Sequence, residues 1–173
     1  MGVLMNARDM LKGFILILCL AGASWSWGDK VDSAFRAVLT EVFPASSSWK
    51  DLSSESRSSR APQLVEARNG DVLLGYGVAL YPVSRSGPFR IVVVVAPDET
   101  VVAVKIPKYP HRRGRKVRRK SFLEQFNGVS YGEPLKLGEQ VDGVSGSTSS
   151  AAALTGSVRQ ALLLVHRHRK SGK

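Results

Sequence analysis

The sequence predicts an α+β domain in which a small antiparallel sheet is flanked by helices. Three observations carry that prediction. Apolar residues recur at helical spacing early in the body and again at its end. Between them lie four short segments rich in β-branched and aromatic residues. Two tight turn signals, Asn69-Gly70 and Pro97-Asp98, join those segments in pairs, so paired neighbours must run antiparallel.

The elements follow in order. Residues 1–28 read as a signal peptide or membrane anchor. Arg8 and Lys12 precede an uncharged run at 13–28, and Ala21-Gly22-Ala23 offers small residues for cleavage. A retained anchor with Trp25 and Trp27 at the interface is the rival reading, although 16 residues fall short of the ~20 a spanning helix needs. A buried helix is the third. Either of the first two places the body in the periplasm or on the outer face of the cytoplasmic membrane. Removing the leader leaves about 150 residues, enough for one core. The only cysteine, Cys19, lies in that leader, so the body has no disulfide and no cysteine-ligated metal.

Residues 29–63 read as an amphipathic helix and a linker. Val31, Phe35, Val38, Leu39 and Val42 share a helix face, Asp29 can cap it, and Pro44 stops it. Residues 45–62 hold eight serines and read as a loose loop. A domain at 64–168 follows. Strands are expected at 64–68 and 72–81, the turn between them needing positive φ at Asn69 and Gly70. The run 89–96 is nearly continuous in β-branched residues, as a strand buried on both faces requires. A further strand spans 100–106, a short helix 121–126, and a final helix about 147–166, with Leu154, Val158, Ala161, Leu162 and Val165 on its packed face. Residues 169–173 read as a basic tail.

The net charge of +11 is concentrated. Residues 105–120 hold nine Lys or Arg and no acid, too charged and too broken by proline to be core. Such a segment suits an acidic partner or anionic lipid. Nucleic acid is not expected, because Tyr109 is its only aromatic for stacking. His166-Arg167-His168-Arg169-Lys170 reads as a frayed basic helix end and not as a metal site.

The chemistry is concentrated at the start of the last helix. Ser145, Ser147, Thr148, Ser149 and Ser150 crowd its N-terminus, where free N–H groups and the helix dipole favour an anion. Gly146 lets a phosphate approach the backbone. Two readings stand on these residues: a threonine esterified to a held phosphate, or a cap rich in Ser and Thr.

The segment Asp142-Gly-Val-Ser-Gly-Ser-Thr-Ser-Ser150, followed by an Ala-rich amphipathic helix, resembles the flavinylation motif of the FMN-binding domain family. That family includes the G subunit of the Rnf electron-transport complex and the C subunit of the sodium-pumping NADH:quinone reductase. The resemblance extends over roughly residues 70–166, through Gly75-Tyr76-Gly77, the 87–95 strand and the 121–128 helix. It implies FMN held covalently, as a phosphoester on Thr148, with Ser145, Gly146, Ser147 and Ser149 around the phosphate. It also implies a separate flavin transferase, using FAD and Mg²⁺, that reads Asp142 and Gly143. The domain would pass electrons between membrane-bound or soluble redox partners and would not be an independent enzyme. This chain has Ser147 where the family pattern often has alanine. It has Lys108-Tyr-Pro-His-Arg-Arg-Gly114 where a Glu-Thr-Pro-Gly-like segment is usual, so no ring contacts carry over. Arg112 and Arg113 are candidates to offset the flavin's charge, and Trp49 and Tyr76 are either ring-stacking residues or core anchors. The alternatives are noncovalent FMN binding and a non-redox envelope module that docks through its basic loop.

Overall fold

The computed structural model describes residues 32–53 and 58–172, so the expected leader and Asp29 lie outside the described residues. Helix α1 (Ser33–Val42) is capped by Asp32, which accepts from Phe35 N at 3.0 Å. Asp32 takes this place because its backbone is extended and its oxygen reaches the first turn.

Where a loose serine loop is expected, strand β1 (Ser48–Asp51) pairs antiparallel with β2 (Gln63–Asn69), Ser48 opposite Arg68. Trp49 is its half-buried anchor, and the exposed serines suit an edge strand. Strand β3 (Val72–Leu80) follows β2 through Gly70-Asp71, with Asn69 already paired to Val72. Positive φ occurs at Gly70 (+57°) and not at Asn69, so the turn carries its glycine at the first central position, not the second as expected. A two-stranded ribbon, β4 (Val83–Ser84) and β5 (Gly87–Pro88), precedes β6 (Arg90–Val95) and β7 (Val101–Lys108). The five-stranded sheet has the order β1-β2-β3-β6-β7, and every pairing is antiparallel.

Both faces of the sheet are covered. Val92 and Val94 of β6 pack with Phe35 and Leu39 of α1. Ile91, Val93 and Val95 point the other way, into a larger core with Leu154, Val158, Ala161, Leu162 and Val165. That division explains the continuous apolar run of β6. Gly77 lets α1 lie close: a Cβ there would come within 2.3 Å of Leu39.

The core on the far side is closed by α2 (Lys120–Leu123), which continues as a 3₁₀ turn at Glu124–Phe126, and by α3 (Thr148–Ser171). The basic segment contributes more to the core than its charge suggests. Lys105–Lys108 are strand, Tyr109 and Val117 are buried, and Arg115–Arg118 form a 3₁₀ turn.

The C-terminal end of α3 is not frayed. His166 and Arg169 bond Glu99 at 2.9 and 2.8 Å, His168 bonds Glu66 at 3.0 Å, and Tyr131 stacks on His166 at 3.9 Å. Residues 169–171 therefore belong to the helix and not to a loose tail. Burial pushes the Glu66 carboxyl up, but hydrogen bonds from His168 and Arg68 outweigh it and hold the pKa below the ordinary 4.5.

Candidate functional site

The opposite end of α3 faces the basic loop. Gly146 turns the chain with φ +76°, and Ser147 follows at the cap position. Ser147 N donates to Val144 O at 2.8 Å, and Ser147 O accepts the first helical bond, from Ala151 N at 2.9 Å. The N–H groups of Thr148, Ser149 and Ser150 precede that bond, so they form the unpaired positive end of a 24-residue helix.

The four hydroxyls here have different surroundings. Thr148 is exposed. Ser149 Oγ accepts from Arg85 N at 2.9 Å, which ties the β4–β5 turn to the helix. Ser150 Oγ lies 2.9 Å from the Tyr109 hydroxyl, which also bonds Arg113 O at 2.9 Å. The single phenolic hydrogen goes to that carbonyl, so Ser150 is the donor to Tyr109. Ser147 is only 4% exposed, and its Oγ is buried without a hydrogen-bond partner.

The Tyr109–Ser150 pair fixes the basic loop over the helix start. Gly114 passes beside it with φ +80°, and a Cβ there would lie 2.2 Å from Tyr109 Oη and 2.4 Å from Ser150 Oγ. Held this way, the loop and the helix enclose a cleft of about 660 Å³, lined by Arg85 and Ser86, residues 110–114 and residues 146–150. That volume is within the range of small-molecule sites. Arg85, Arg112 and Arg113 reach it, and none has an acidic partner among the described residues. His111 forms part of the wall, 2.8 Å from Pro88 O. Unpaired N–H groups, three cations and an orphaned buried hydroxyl together suit a phosphate-bearing group.

The expected site residues divide between two places. Gly146, Ser147, Thr148 and Ser149 line the cleft with Arg112 and Arg113. Asp142, Gly143 and Ser145 line a neighbouring depression of about 270 Å³, beside Lys116 and Arg119. Asp142 N donates to Gln125 Oε1 at 2.7 Å, and Lys116 Nζ reaches Ser145 O at 2.9 Å. Asp142 and Gly143 are exposed. Neither Trp49 nor Tyr76 lines the cleft. Trp49 packs on the α1 side, and Tyr76 lies against His168, about 30 Å along α3 from Thr148 by helical rise. Both are core anchors. Arg85, Ser86 and His111 join the site without any local sequence signal, because the β4–β5 ribbon and the loop meet only through the fold.

Residues 85–163 match the model of a family described as FMN-binding domain. The matched segment opens at Arg85 of the cleft and ends within α3, so it contains all the cleft residues. Among curated proteins, none matches the chain. The segment 85–163 is therefore similar to the FMN-binding domain family, the same family that the motif at 142–150 resembles, and the match points to a flavin-binding protein.

Proposed function

We propose that this FMN-binding domain holds FMN covalently, through a phosphoester on Thr148, and serves as an exported or membrane-anchored electron carrier. The observation that carries the reading is the contrast between neighbouring hydroxyls. Thr148 is exposed at the mouth of a cationic cleft, whereas the Ser147 hydroxyl is buried. An enzyme can reach the first and not the second.

A flavin transferase using FAD and Mg²⁺ would make the bond. The Thr148 oxygen attacks the phosphorus on the FMN side of the FAD pyrophosphate, the P–O–P bridge breaks, AMP leaves, and the hydroxyl proton is released. Exposed Asp142 and Gly143 suit the role of sequence read by that enzyme. The unpaired N–H groups of Thr148 to Ser150, with Arg85, Arg112 and Arg113, would then hold the phosphate and balance its charge. FMN supplies reversible electron transfer, and the protein supplies attachment, orientation and field. Redox partners, membrane-bound or soluble, would approach over the exposed cations of the basic loop.

Co-expression with a flavin transferase followed by a denaturing gel tests this reading. A fluorescent band that is lost in Thr148→Val is expected. A flavin that leaves on denaturation would mean noncovalent binding in the same cleft. A band with no flavin in the presence of an active transferase would leave the non-redox docking module.

A further inference from the structure

Ser147 stands out once the rest of the helix start has been accounted for. Ser149 and Ser150 have partners, and Thr148 faces solvent. Ser147 alone has a hydroxyl that is buried and makes no hydrogen bond, although the residue lines the cleft. It does not serve as a side-chain cap, which is the ordinary reason for a serine at this position. A buried hydroxyl without a partner destabilises a protein, so a partner in the filled cleft would offset that cost. The groups around it narrow what that is. The unpaired N–H groups of Thr148, Ser149 and Ser150, and Arg85, Arg112 and Arg113, all offer hydrogen or positive charge. Nothing lining the cleft is a carboxylate. The partner that such a set assembles for is an anionic acceptor, and a hydroxyl donates to one after a turn about its Cα–Cβ bond.

We infer that Ser147 is a phosphate-positioning residue whose hydroxyl is unsatisfied in the free protein and donates to a phosphate oxygen when the cleft is filled. The inference rests on the proposed phosphate site but not on the covalent bond. Ser147 orients the phosphate while Thr148 accepts it. One side chain therefore opposes stability when the site is empty and adds affinity when it is filled.

Two effects of opposite sign follow for Ser147→Ala, which removes one oxygen and fits wherever serine fits. The full chain is prepared without a transferase, so that it carries no flavin, and melted alone and over a range of concentrations of FMN, inorganic phosphate or riboflavin. Without ligand, Ser147→Ala should melt at the same temperature as the wild type or higher. With FMN and with inorganic phosphate, its half-saturating concentration should rise about tenfold, the loss of one hydrogen bond to a charged group. Riboflavin, which has no phosphate, should act alike on both proteins. Equal phosphate affinity in the two proteins overturns the inference. So does a lower melting point of the unliganded variant, since that would show a hydroxyl already partnered. A wild type that responds to neither FMN nor phosphate also overturns it. The denaturing gel separates these failures from the main reading: flavin on the band in both proteins keeps Thr148 attachment standing even if Ser147 has no part in it.

Discussion

Gly114→Ala should loosen the basic loop from the helix, and the structure sets the size of the effect. The residue has φ +80°, a region that costs a non-glycine residue about 1–3 kcal/mol. The new methyl would also lie 2.2 Å from Tyr109 Oη and 2.4 Å from Ser150 Oγ, so the Tyr109–Ser150 pair must open. Breaking a buried hydrogen bond adds about 1 kcal/mol, for a total of roughly 2–4 kcal/mol. Tyr109→Phe alone removes the bonds to Ser150 and Arg113 and should cost about 1–2 kcal/mol. The double variant is the sharper test. Removing the phenolic oxygen relieves the nearer of the two contacts and frees the Ser150 hydroxyl to turn aside, so the double variant should cost at least about 1 kcal/mol less than the sum of the two single variants. Urea unfolding followed by tryptophan fluorescence measures all four proteins. Additivity within about 0.5 kcal/mol would refute the clamp.

Three further outcomes follow. The Glu66 and Asp32 carboxyls are both held below their ordinary values of 4.5 and 3.8, so the stability they contribute is present at neutral pH and is lost as pH falls through and below that range. In chemical denaturation between pH 3 and pH 6, on the order of those values, Glu66→Gln should flatten the acid limb. An unchanged slope would show that the contacts of Glu66 with His168 and Arg68 do not hold its carboxyl low. Asp32→Ala removes the α1 cap and leaves buried Arg90 without its carboxylate, and should cost about 2–4 kcal/mol in urea unfolding. Asp32→Asn, which can still cap, should cost less. Ser149→Ala removes the acceptor for Arg85 N and should cost about 1 kcal/mol in the same assay.

Segments that bury a whole face are readable from the residues alone. Strand β6 is apolar without a break from Ile91 to Val95 because α1 and α3 cover its two faces, and α3 repeats its core residues every third or fourth position. Strand β1 escapes such reading because its burial rests mainly on Trp49 among exposed serines. The turn after β2 lies one residue later than the Asn69-Gly70 signal indicates, because Asn69 remains in the ladder and Gly70 takes the positive φ. The order at the end of α3 has no local signal, because its partners, Glu66 and Glu99, lie 102 and 67 residues from the histidines they bond. At the site, the serine cluster announces a helix start, but the cleft itself depends on Arg85, His111 and the Tyr109–Ser150 bond. Those are long-range meetings that no local pattern encodes.

Tandem mass spectrometry of the protein, isolated from cells with an active flavin transferase, tests the proposed attachment most directly. The peptide spanning residues 142–150 should carry one FMN joined with loss of water, and fragmentation should place it on Thr148 and not on Ser147. An unmodified peptide, or a flavin mapped to any other residue, would contradict the assignment.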